Sequence, residues 1–67
     1  MQDWVKVYES GNHYQAEIIK SLLEAEEMEA VIINKQDSSY FFGEVEVYVQ
    51  NNNVIKAKMI IDANESR

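Results

Sequence analysis

Residues 15–33 read QAEIIKSLLEAEEMEAVII, and the spacing of their apolar side chains decides the fold. Ala16, Ile19, Leu22 and Leu23 recur at intervals of three and four, the signature of one buried helix face, and Ile18 widens that stripe. Glu17, Lys20, Ser21 and Glu24 fall on the wetter side. With no Gly or Pro to interrupt it, the segment then runs into Ala30–Ile33, a short apolar run suited to a strand. A helix that feeds straight into a strand is half of a crossover unit, so a partner strand is needed upstream.

That strand is expected at Trp4–Glu9. Val5 and Val7 would face one side, and Trp4, Lys6 and Tyr8 the other. Ser10, Gly11 and Asn12 make the turn into the helix, with Asn12 as N-cap and Gln15 as its capping-box partner. The helix reaches about Glu26. Its end is unusual, because Glu24, Glu26 and Glu27 crowd a terminus where the macrodipole favours cations, and no Gly supplies a left-handed cap. Met28 tucks into the core before a strand over residues 29–34.

Residues 35–43 form a loop, polar first and then Tyr40, Phe41, Phe42 and Gly43. Residues 44–50 alternate cleanly: Val45, Val47 and Val49 on one side, Glu44, Glu46, Tyr48 and Gln50 on the other. Three Asn residues at 51–53 cap a second helix to about Ala63, with Val54, Ala57, Ile60 and Ile61 as its buried face; residues 64–67 should fray. The order β-α-β-β-α, with a right-handed crossover, predicts an α+β fold. Its expected form is a truncated ferredoxin-like, three-stranded antiparallel sheet of order 1-3-2, with both helices on one face. With no fourth strand following the second helix, strand one is expected to be a free edge.

The layout resembles a family of small bacterial proteins described as putative prokaryotic signal-transducing proteins, which are distantly similar to the PII-type nitrogen regulators. The similarity runs over nearly the whole chain. It is most specific at Ala16–Glu24 and at Ala30 entering strand two, with Gly43, Val54 and Ala57 also matching. These are structural positions. The resemblance therefore supports the fold far better than a function. The family pattern places Gly at the helix end where this chain has Glu27. A left-handed Glu27 would cost on the order of 1 kcal/mol. In the PII-type proteins the loop between strands two and three is the signalling loop, and here that position holds Tyr40, Phe41 and Phe42.

Composition narrows the functional classes. Sixty-seven residues with 46% hydrophobic and 27% charged side chains make one globular domain, residues 1–67. Such a small core gains from a partner. A net charge of −6 with scattered lysines argues against nucleic acid. No apolar run approaches the ~20 residues of a membrane span. Cys is absent and the start is not that of a secretion signal, so a cytoplasmic setting is expected. Asn64-Glu65-Ser66 is then a chance glycosylation sequon.

Catalysis is not expected. His13 is the one imidazole, no Ser lies in a nucleophile elbow, and an exposed polar residue at the first helical turn is ordinary. No cofactor is expected. The acidic cluster Glu24, Glu26, Glu27 and Glu29 reads as a solvated helix end rather than a metal site. Ser10, Gly11 and Asn12 open a helix and form a weak candidate for anion binding.

Two surfaces remain. Trp4, Lys6, Tyr8, Glu46 and Tyr48 would share the sheet face away from the helices, either as a partner surface or simply as cross-strand pairs. Tyr40, Phe41 and Phe42 either close the end of the core or form a binding loop. The expected function is a non-enzymatic interaction or regulatory domain that self-associates, as a homodimer or other homo-oligomer. The alternative is a small-ligand or anion sensor at the Ser10–Asn12 turn or the 35–43 loop.

Overall fold

The computed structural model describes residues 3–35 and 44–66. In chain order it contains β1 (Trp4–Ser10), α1 (His13–Ala25), β2 (Ala30–Asn34), β3 (Val45–Gln50), a single 3-10 turn (Asn51–Asn53) and α2 (Val54–Glu65). The three strands form one sheet of order β1-β3-β2, and β3 is antiparallel to both neighbours. This is the α+β, ferredoxin-like arrangement that the order of elements predicts. Both helices cover the same face. Ala16, Ile19 and Leu23 of α1 share one buried cluster with Ala57 and Ile61 of α2 and with Val45, Val47 and Val49 of β3. Met28 and Ala30 complete it.

The β1–β3 register contains one irregularity with large consequences. Val5 opposes Val49 and Lys6 opposes Tyr48, but the next pair is Tyr8 with Val47, so Val7 is an inserted bulge residue. A bulge shifts the alternation by one. Val7 and Tyr8 therefore both pack against the core cluster on the helix side, and Glu9 comes to the open side opposite Glu46. Strict alternation from Trp4 placed Tyr8 on the open face; the bulge reverses that. β2 keeps simple alternation. Ala30 and Ile32 oppose Val49 and Val47 on the helix side, while Val31 and Ile33 oppose Tyr48 and Glu46 on the open side.

Helix boundaries follow from local hydrogen bonding. Asn12 caps α1 by accepting the Tyr14 N–H at 2.9 Å, one residue short of the Gln15 partner expected from the sequence. Ile18, expected to widen the buried stripe, points outward instead, and Leu22 is half-buried. α2 runs two residues beyond Ala63, with both the N–H and the Oγ of Ser66 donating to the Asp62 carbonyl. At the other end of α1, the Met28 N–H donates to the Leu23 carbonyl and the Glu27 N–H to the Glu24 carbonyl. Those two bonds define a Schellman motif, and Leu23 and Met28 supply its apolar contact in the core.

The motif needs a left-handed residue at Glu27, whose φ is 62°. An L-residue with a β-carbon is strained there, whereas Gly is not. Glu27→Gly is therefore expected to stabilise the domain by about 1 kcal/mol, raising Tm by about 4–8 °C for a domain of this size. Removing a carboxylate from a helix C-terminus acts in the same direction. Thermal melts followed by circular dichroism measure it; an unchanged or lower Tm refutes the strain argument.

Candidate functional site

The open face of the sheet is organised around Glu46, in the middle of the central strand. Neither α1 nor α2 covers this face, yet Glu46 is 6% exposed, the one buried charged residue among those described. Its cover is polar. The Tyr48 hydroxyl donates to Oε1 at 2.8 Å, Lys35 Nζ lies 3.2 Å from the same oxygen, and Lys6 Nζ lies 3.5 Å from Oε2. Lys6 also pairs with Glu9 Oε2 at 3.1 Å. Lys6 comes from β1, Glu46 and Tyr48 from β3, and Lys35 follows directly on β2. One carboxylate thus ties the three strands together on the side away from the helices, where half-buried Trp4, Val31 and Ile33 also lie.

The electrostatics follow from this geometry. The Tyr48 hydrogen bond holds the Glu46 carboxyl below the ordinary value of 4.5; burial opposes the shift, and Lys35 and Lys6 reinforce it. The same bond pushes the Tyr48 phenol up. Lys6 is also raised, chiefly by its bond to Glu9 and by the Glu9 charge. The cluster therefore holds an ionised carboxylate between two ammonium groups. This favours structural cohesion over proton transfer, for which a group poised near neutral pH is needed.

Of the five residues expected to share this face, Trp4, Lys6, Glu46 and Tyr48 do so by register, with Trp4 opposite Gln50. Tyr8 stands on the other side. Tyr40, Phe41 and Phe42 lie outside the described residues. At the Ser10–Asn12 turn, Ser10 Oγ accepts the Asn12 N–H at 3.0 Å and Asn12 Oδ1 accepts the Tyr14 N–H. Two donors that an anion would use are thus taken by the chain itself. His13 Nε2 lies 3.3 Å from Glu17 Oε1, a side-chain pair one helical turn apart. Among the described residues, no group of three or more His, Cys, Asp or Glu is arranged to hold a metal ion. No described helix is long and apolar enough to cross a membrane.

Two further surfaces emerge only in three dimensions. A groove of about 490 Å³ separates the bulged stretch of β1 from α2, with Val7, Tyr8 and Ile61 between the charged groups of Lys6, Glu9, Lys58 and Asp62. The second is on the exposed sides of the helices, which carry all four exposed large hydrophobics of the described chain: Tyr14 at 79% and Ile18 at 47% on α1, Ile55 at 78% and Met59 at 67% on α2. Tyr14, Ile18 and half-buried Leu22 are spaced four apart and line an apolar trough of about 350 Å³ with Glu17 and Ser21. Ile55 and Met59 are likewise four apart, on the side of α2 opposite Ala57 and Ile61. This surface was not expected, although its signal lies in the sequence. Apolar residues ring α2, so it lacks the clean polar side of an ordinary covering helix.

A sequence family described as "Putative prokaryotic signal transducing protein" matches residues 4–65. No curated protein and no solved structure matches the chain.

The Glu46 cluster makes stability depend on pH with a definite sign. A carboxyl whose folded pKa is depressed stabilises the fold fully above its unfolded value of 4.5, and that contribution is lost as pH falls through the lower folded value. Glu46→Gln is expected to lower Tm at neutral pH and to flatten the decline of Tm below pH 4.5. Melting curves of both proteins across the acid range test this. Equal acid slopes would show that Glu46 is not coupled to folding.

Proposed function

This chain belongs to the family described as putative prokaryotic signal transducing proteins, and from that premise we propose a non-enzymatic regulatory module that works by protein contact and self-associates. The observation that carries this reading is the outward helical surface, where Tyr14, Ile18, Ile55 and Met59 are left in water. Hydrophobic side chains scattered singly on a surface are ordinary. Here they come in pairs at one-turn spacing, Tyr14 with Ile18 on α1 and Ile55 with Met59 on α2, a clustering of the kind that marks interaction surfaces. The open sheet face is less suited to that task. Its central carboxylate already has its partners, and covering the cluster would desolvate several charges.

Magnitudes set the expected strength. Burying one such side chain is worth about 1.5–3 kcal/mol. In a symmetric pair both copies contribute, eight side chains or at most about 12–24 kcal/mol for complete burial, against the roughly 4–15 kcal/mol that association itself costs, so a concentration-dependent contact is expected. A non-enzymatic role is supported by the absence of Cys and by the single imidazole, His13, which faces a carboxylate rather than a nucleophile. The acidic charge and lack of Cys fit a cytoplasmic setting. The small-ligand reading is less supported, since the Ser10–Asn12 turn is occupied by its own hydrogen bonds.

Sedimentation equilibrium over a wide concentration range tests the proposal. The average mass is expected to rise above the 7.8 kDa of a single chain as concentration passes from micromolar toward millimolar. A constant 7.8 kDa throughout would refute self-association. A thermal-shift screen with nucleotides and common metabolites should give no stabilisation.

A further inference from the structure

Charge runs the wrong way along α2 for a helix that stands alone. Lys56 and Lys58 lie in its N-terminal half, Asp62 and Glu65 in its C-terminal half. The macrodipole prefers the reverse, yet the first turn holds no acid and the last turn no base. All four side chains are exposed, and none forms an ion pair among the described residues. Lys58, Asp62 and Glu65 share one side of the helix, where they line the groove beside β1. At about 100° per residue, Asp62 falls between Lys58 and the exposed Ile55–Met59 pair, and Lys56 falls beyond Met59 on the far side.

We infer that α2 pairs antiparallel with α2 of a second copy of this chain. The inference rests on the self-association proposed above and narrows it to one helix. A two-fold axis perpendicular to α2 sets each side of the helix against the same side of its partner and closes the assembly at a dimer. Lys58 and Asp62 meet that condition, being on one side and one turn apart. With the axis at the level of Ile60, Lys58 of each copy faces Asp62 of the other, and the two Met59 side chains meet beside the axis. The order of charges that opposes the macrodipole within one helix then becomes favourable between two, and the opposed macrodipoles themselves attract. This local attraction offsets the repulsion between two chains of net charge −6. The same operation on α1 would set Glu17 against Glu24, so the Tyr14–Ile18–Leu22 stripe repels its own copy. The β1 edge is a poorer meeting place, because the Val7 bulge interrupts the regular ladder a second strand would need.

Complementation between two variants tests the pairing. Dimer dissociation constants are measured by sedimentation equilibrium of the full chain at low salt, and circular dichroism confirms that each variant is folded. Lys58→Glu and Asp62→Lys should each weaken the dimer about tenfold or more, because each sets like charges together twice per dimer. An equimolar mixture of the two should recover the association of the unaltered chain. Both facing pairs are then of opposite sign, and the total charge equals that of two unaltered chains. Lys56→Glu changes the net charge as Lys58→Glu does but lies on the far side, so it should weaken the dimer by less than about threefold. Met59→Ser, at an exposed position, should abolish dimerisation. A mixture that stays dissociated, or a Lys56→Glu chain as disrupted as Lys58→Glu, overturns the pairing while self-association stands. So does a Met59→Ser chain that dimerises as before, since the contact then lies away from α2. A chain that stays monomeric at every concentration overturns the pairing and the self-association together.

Discussion

The structure depends on the alternation of β3. This strand is hydrogen-bonded on both sides, so its side chains set the character of both faces of the sheet. Val45, Val47 and Val49 are fully buried beneath the helices. Glu46 and Tyr48, between them, build the opposite face. A shift of one residue in either register would drive a carboxylate into the helix-covered core and put the valines in water. Both helices, and the apolar sides of β1 and β2, are arranged around that one strand.

The two faces solve the problem of cover differently. On the helix side the solution is apolar packing, with small residues such as Ala16 and Ala57 allowing close approach. On the open side it is polar: a buried carboxylate, a phenol and two lysines spanning all three strands. Such a cluster costs desolvation and is not a strong source of stability. It does leave the sheet's bare side well satisfied. The exposed large apolar side chains among the described residues lie instead on the helices, at Tyr14, Ile18, Ile55 and Met59.

Much of the architecture was legible because it rests on periodicity. The stripe of α1, the valines of β3 and the order of elements led to the correct sheet order. The missing glycine at Glu27 pointed to a strained helix end, and the left-handed backbone is there. The errors have equally local causes. Tyr8 was placed on the wrong face because a bulge leaves no mark in a run of alternating residues; its presence depends on how β1 meets β3. Ile18 was assigned to the core because a helical stripe has a width, and only the packed neighbours decide which edge residues are covered. The Ile55–Met59 stripe was overlooked because only the buried face of α2, Val54, Ala57, Ile60 and Ile61, was read from its spacing, and the apolar residues off that face were given no role.

The sequence by itself determined the elements, their order and the identity of most core positions. These follow from spacing along a single strand or helix, which is a property of neighbours in the chain. Only the tertiary structure decided which side chains remain available. The bulge at Val7 turned Tyr8 away from the open face. The meeting of Lys6, Lys35 and Tyr48 on Glu46 closed that face, and the packing of α1 and α2 left Tyr14, Ile18, Ile55 and Met59 outside. Each outcome depends on contacts between residues far apart in the chain, and periodicity along one element carries no information about them.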